Sequence, residues 1–270
     1  MIRQLVQLLL IPMVVLPISV QGESVGKMSR TEKETFLKKS RVVSMEEVGE
    51  GVSNPWKVKL ERDGVQMNAI YKSIDLRMKG PTAYGSETAP EYVDSYKSEI
   101  AAYELDKLIG LHLLPVIVER KVKGKKGSLR EWVEDVMPRY GHGHRPPSGT
   151  ELRDWFHTVW LFDYLIYNID RGTHNIMIAN DWSPVVIDNS LSFNTYQKPM
   201  RPLYRFPREV IGRLRTLEKK PLKKALGRYL KRHQIDALWN RIQHVLQTVD
   251  RRKAQFGEPE IYFSLPRLGS

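Results

Sequence analysis

The chain has 270 residues, 41% of them hydrophobic and 27% charged, which excludes a disordered chain and allows one large domain or two lobes about a cleft. It contains no cysteine, which excludes disulfide staples and leaves stability to a packed core. The formal net charge is +12, and the excess is uneven: 17 Lys and Arg stand against 4 Asp and Glu between Gln197 and Lys253.

Residues 1–22 have the pattern of a signal peptide. Arg3 supplies a basic start, Leu5 to Val20 are almost wholly apolar, and small residues surround Gly22. The run is short for a membrane span and is broken by Pro12 and Pro17. The expectation is an exported protein, periplasmic or secreted, beginning near Glu23. The alternative is tethering to a membrane by an uncleaved signal anchor.

Residues 41–75 alternate as strands do. Two runs in "WKVKLERDGVQMNAIYKSI" meet at Asp63-Gly64, a strong hairpin signal. Before them stands "VGEGVSNP", with Gly49, Gly51, Ser53 and Asn54. Residues 78–93, rich in Gly, Pro, Ser and Thr, read as a loop. Residues 94–110 read as a helix with Ile100, Ala101, Leu105, Leu108 and Ile109 on one face and Gly110 as its stop. "LPVIVERKVKGKKGSLREWVED" reads as a second hairpin, turning at Gly124 to Gly127. A Gly/Pro/His-rich linker follows over 138–149, where His142 and His144 read as loop residues for want of a third ligand nearby.

From Glu151 the pattern is helical, with Trp155, Trp160 and Phe162 as core candidates and Pro207 and Pro221 marking helix starts. Two places interrupt it. "YLIYNIDRGTHNIMI" sets a polar cluster between apolar runs, and "VVIDNS" closes a strand-like run on Asp188. A strand-rich half before a helix-rich half predicts an α+β, two-lobed fold, with the signal segment over 1–22, a first lobe over 23–137 and a second over 138–270.

The order of polar residues matches a set of chemical tasks. Phosphate transfer needs glycines where backbone approaches phosphates, a Lys for phosphate charge and a Glu to hold that Lys. It also needs a carboxylate to act on the acceptor hydroxyl and oxygen ligands for a metal. The chain supplies "GEGVSNP", then Lys72 closing "NAIYK", then Glu99 opening a helix. Asp170 and Asn175 follow five apart, and Asp188 stands 13 residues beyond. Each element alone is common; a Gly-x-Gly is mostly a turn, and Asp170 with Arg171 also reads as a local ion pair. The joint order is far more specific.

"YKSEIAAYELDKLIGLHLLPVIVER", "LFDYLIYNIDRGTHNIMI" and "VVIDNSLSF" resemble the atypical kinases, a superfamily with a secretory-pathway casein-kinase branch, phosphatidylinositol 3- and 4-kinases and bacterial toxin-type serine kinases. The Glu-Ile-Ala-Ala-Tyr helix and the Asn-x-Asp-Arg loop are nearest the secretory-pathway branch, over about residues 45–195. The resemblance implies a two-lobed protein-kinase-like fold. Lys72 would contact the phosphates of ATP and pair with Glu99, with Glu104 as the alternative partner. Gly49, Gly51, Ser53 and Asn54 would form the phosphate loop. Trp132, Val133 and Glu134 would lie in the hinge beside adenine. Asp170 would be the catalytic base, and Asn175 and Asp188 would hold Mg²⁺ or Mn²⁺. His174, inside the loop, reads as a structural hydrogen-bonding residue.

Departures are clear: Asp188-Asn189-Ser190 replaces Asp-Phe-Gly, and no His-Arg precedes Asp170. The implied activity is phosphoryl transfer from ATP to a hydroxyl of a protein, lipid or sugar. The alternatives are an inactive nucleotide-binding scaffold and an AMP transferase. The plainest reading of the basic 197–253 segment is a solvated surface. Of the sharper ones, an anionic surface or an acidic substrate stands ahead of nucleic acid, since no nucleic-acid motif is present.

Overall fold

The computed structural model describes residues 25–49, 55–84, 87–138 and 152–265. The expected signal segment, Gly51, Ser53, Asn54, His142, His144 and all of the linker except Pro138 lie outside them. The fold is α+β and two-lobed, a β-sheet lobe followed by a helical lobe.

Helix α1 (Arg30–Lys39) opens on a capping box, in which Ser29 and Glu32 each accept the other's backbone N–H. The chain then forms β1 (Arg41–Glu47), β2 (Trp56–Arg62), β3 (Val65–Lys72), β4 (Asp75–Tyr84), β5 (Glu87–Ser95), helix α2 (Tyr96–Ile109), β6 (Ile117–Val122) and β7 (Lys125–Glu131). Five of these strands make an antiparallel sheet in the order β1-β2-β3-β7-β6. Asp63 (φ 52°) and Gly64 (φ 78°) give the left-handed pair that the tight β2–β3 turn needs. Helix α2 buries Ile100, Ala101, Leu105 and Ile109, and Gly110 ends it in the left-handed conformation.

Two expectations are corrected. Within the expected loop over 78–93, residues 78–84 and 87–93 are strand, in the paired β4 and β5. The irregularity between Lys79 and Thr82 absorbs Gly80 and Pro81, residues that break an ordinary strand. The β6–β7 turn lies at Lys123 (φ 46°) and Gly124 (φ 82°), so Gly127 stands inside β7 rather than in the turn.

The second lobe begins with β8 (Met137–Pro138), which joins β9 (Ile176–Ile178) and β10 (Pro184–Val186) in a small sheet of order β10-β9-β8. Helix α3 (Leu152–Ile166) buries Trp155 and Phe162, with Trp160 partly buried against the core. The remaining helices are α4 (Arg208–Thr216), α5 (Lys219–Leu226), α6 (Arg232–Phe256) and α7 (Glu258–Ile261), with β11 (Phe206–Pro207) paired in parallel to β12 (Tyr262–Phe263). Pro207 caps α4, whereas Pro221 is the third residue of α5. Among the described residues no helix is long and apolar enough to cross a membrane.

Arg241 of α6 is fully buried. It donates to the carbonyls of Leu165, Asn194 and Tyr196 and lies over the Tyr167 ring. Burial pushes its pKa down to about 10. The guanidinium thus ties the end of α3 to the segment after Asp188. One apolar cluster joins Ile100 and Leu111 of the first lobe to Leu165, Ile176 and Val186 of the second, so the cleft between them has a solid floor.

Candidate active site

Lys72 closes β3, a strand paired on both sides, and its side chain is only 9% exposed. A charge so placed must find partners. Its ammonium donates to Glu99 Oε1 at 3.0 Å and to Asp188 Oδ1 at 2.6 Å. Three elements far apart in sequence therefore meet at one nitrogen: the end of β3, the first turn of α2 and the turn after β10. Burial disfavours the charged Lys72, but Glu99 and Asp188 outweigh it and raise its pKa. Burial likewise opposes ionisation of Asp188, and Lys72 outweighs it, holding that carboxyl below its usual range. Glu99 sits in the first turn of α2, after the N-cap Ser95, where the helix dipole favours an anion. Glu104, the alternative partner, pairs with Lys107 instead.

Asp188 holds a left-handed backbone (φ 58°), a strained conformation for a non-glycine residue that persists only where neighbours enforce it. The neighbours are visible. Asn168 Nδ2 donates to the Asp188 carbonyl at 3.3 Å, and Ile187 N–H donates to the Asn175 carbonyl at 3.0 Å. The loop that carries Asp170 is built from its own backbone. Asp170 N–H donates to Asn168 Oδ1, and its carbonyl accepts Gly172 N–H and Asn175 Nδ2. Asp170 is exposed, while Asn175 is buried in a single 3₁₀ turn, Thr173–Asn175.

Asp170 and Arg171 do not form the local ion pair that was the plain reading. Arg171 grips Asp163 of α3 through Nε and Nη2, and its other donations go to the Ile187 carbonyl and Asn189 Oδ1. It therefore clamps the Asp170 loop to the Asp188 turn. Asp163 is the partner the sequence reading missed. Its signal was a lone carboxylate in the apolar run "WLFDYLI". Asp94, at the end of β5, was missed as well. It is buried, its Oδ1 has no hydrogen-bond partner, and burial raises its pKa against the opposing Ser190 hydroxyl and Lys72. His174 is exposed, and the tip of its ring lies 2.4 Å from where a Cβ on Gly172 would stand.

Gly49 (φ 57°) follows β1, and Val48 N–H bonds to the Pro55 carbonyl, closing the β1–β2 connection that contains the Gly-rich stretch. Trp132, Val133 and Glu134 run from β7 toward β8, the strand that enters the second lobe. Trp132 N–H bonds to the Asn68 carbonyl, and its ring faces the Lys57 ammonium at 4.9 Å.

The donor set fits a hard divalent cation. Asp188 keeps 40% of its side chain exposed, and a buried oxygen each of Glu99 and Asp94 lacks a partner. Among the described residues no three His, Cys, Asp or Glu side chains converge closely enough to hold a metal by themselves. Oxygen ligands that need completion suit Mg²⁺ or Mn²⁺ held partly by phosphates.

The two-lobed fold is shared with solved kinase structures. No protein-family profile and no curated protein sequence matches the chain. Solved structures do. A hydra Fam20 structure with sugar aligns with a TM-score of 0.67 at 17% identity, covering 87% of this chain and 92% of that one. The Golgi casein kinase with Mn/ADP bound aligns at 0.63 and 13% identity, covering 88% and 80%. A second structure of the Golgi casein kinase aligns at 0.64 and 14% identity, covering 89% and 80%.

Proposed function

We propose that the protein is an ATP-dependent phosphotransferase acting on a hydroxyl acceptor. The observation that carries this reading is Lys72 Nζ bridging Glu99 and Asp188 in a buried site. A buried lysine with two carboxylates, one of them half-open to the cleft, is the fixed cation that triphosphate positioning requires. Lys72 contacts the phosphates, and Glu99 keeps it in place. Gly49, Gly51, Ser53 and Asn54 are assigned to the phosphates from their order in the sequence ahead of Lys72, and Trp132 to Glu134 border the adenine.

Asp170 accepts the proton of the acceptor hydroxyl as that oxygen bonds to the γ-phosphorus. The bond from the γ-phosphorus to the bridging oxygen breaks, and ADP leaves with the electron pair. Asp188 and Asn175 hold Mg²⁺ or Mn²⁺, which offsets charge on the phosphate oxygens when bound. The strained backbone of Asp188, set by Asn168 and by the Arg171 clamp, places that carboxylate before the nucleotide arrives.

The two aspartates separate this reading from a nucleotide-binding scaffold. Asp188→Ala should lose the metal-dependent rise in melting temperature with Mn²⁺ and ATP. Asp170→Ala should keep most of that rise and lose transfer from labelled ATP to protein and sugar hydroxyls, since its task arises at the transition state. A parent protein that shifts with Mn²⁺ and ATP but labels no acceptor would leave a scaffold. Release of pyrophosphate instead of ADP would identify AMP transfer.

A further inference from the structure

We propose that the exposed face formed by α5 and the start of α6 docks on an anionic phospholipid surface. This inference is independent of the phosphotransferase reading. Between Glu218 and Asp236 the chain has seven Lys and Arg and no Asp or Glu, and all seven side chains are exposed: Lys219, Lys220, Lys223, Lys224, Arg228, Lys231 and Arg232. Lys219, Lys220, Lys223 and Arg232 line a concavity of about 490 Å³, with Asp236 its single carboxylate. Lys219 and Arg232 share Asp236, at 2.8 and 3.8 Å, and Arg228 reaches Glu119. Among the described residues Lys220, Lys223, Lys224 and Lys231 have no carboxylate within ion-pair distance.

Local physics argues against this arrangement in an isolated protein. Lys219 and Lys220 open α5 at its positive end, and Glu218 makes no side-chain capping bond there. Lys219 with Lys223, and Lys220 with Lys224, are like-charge pairs one helical turn apart. Helix α6 opens the same way, with Lys231 and Arg232 and no acid in its first turn. The first turns of both helices thus point positive backbone ends and cations at one concavity. Asp236 and Glu119 offset part of the repulsion, and an anionic layer outside the protein relieves the rest.

The pattern fits a bilayer better than a discrete acidic partner. Arg228 and Lys231 line a second concavity with Asp75, Arg77 and Lys97, so a small anion in the first engages only part of the charge. Five of the seven are lysines, point charges suited to a diffuse sheet of headgroups rather than to bidentate pairing with fixed carboxylates. No exposed aromatic residue is interleaved for base stacking, and Tyr229 is half-buried.

The test is sedimentation of the full chain with vesicles of phosphatidylcholine alone or mixed with phosphatidylserine. The variant Lys220→Gln, Lys223→Gln, Lys224→Gln removes three unpaired cations and leaves the Asp236 pairs intact. The parent should prefer the anionic vesicles by about tenfold or more, and the variant should lose most of that preference. Residues 1–22 are common to parent and variant, so the difference between the two reads the basic face. The variant should melt close to the parent, because the three side chains are exposed and unpaired. Equal parent binding to both vesicles, or full preference in the variant, would overturn the proposal. So would a rise in the parent's melting temperature with inorganic pyrophosphate that the variant loses, without vesicle preference, which would assign the face to a soluble anion.

Discussion

Arg171 does the most structural work of any side chain near the cleft. It and Asp163 are each 6% exposed, and the pair joins α3 to both functional turns. A buried pair adds little over an apolar pair, but breaking it leaves a charge with no solvent and no partner. Arg171→Ala should therefore cost about 3–5 kcal/mol by urea denaturation. Adding Asp163→Asn to it should recover part of the loss, because the orphaned carboxylate is gone. A single variant within about 1 kcal/mol of the parent would show that the clamp is not held by charge. This scale also shows what a sequence reveals. That Lys72, Glu99 and Asp188 would meet was legible from the order of their residue types along the chain. Asp163 and Asp94 were not, because a carboxylate's partner is decided by packing between distant elements, and neither residue repeats at a spacing that announces it.

At the scale of elements, β7 positions the site from behind. A Cβ on Gly127 would stand 2.3 Å from the Lys72 carbonyl and 2.6 Å from the Tyr71 ring. The backbone of β3 must move to admit it, and that movement displaces Lys72 from Glu99 and Asp188. Gly127→Ala should lower stability by about 1–3 kcal/mol and weaken the melting shift with Mn²⁺ and ATP. Gly124→Ala is the control. Its Cβ meets nothing within 4 Å, so only the left-handed backbone (φ 82°) is strained, at about 1–2 kcal/mol. It should lower the melting temperature and leave the nucleotide shift unchanged. Equal nucleotide shifts in both variants would separate β7 from the site. The β2–β3 hairpin and α2 were readable from Asp63-Gly64 and from a periodic apolar face. The β4–β5 hairpin was not. Leu76 and Met78 of β4 are exposed, and Gly80 and Pro81 mask the pairing as loop.

For the whole molecule, the buried group with a legible pH signature is Asp106, near the end of α2. Its carboxylate accepts the N–H groups of Leu113 and Leu114 and lies 3.8 Å from Arg30, which orders the turn leading into β6. It is fully buried, and burial pushes its pKa up from 3.8 to about 6 against those hydrogen bonds and Arg30. The folded state thus holds this proton more tightly than the unfolded chain. The group's contribution to stability is greatest below the unfolded value and is lost as pH rises through about 6. The difference amounts to about 3 kcal/mol at neutral pH. Asp106→Asn removes the titration. It also loses an acceptor for one backbone N–H, a penalty that is the same at every pH. The stability of the variant relative to the parent should therefore rise between pH 4 and pH 7, by up to about 3 kcal/mol, in urea titrations at several pH values. A difference that stays flat across that range would mean Asp106 is ionised throughout. In that case Arg30 and the two amides, rather than burial, would set its charge in the folded protein.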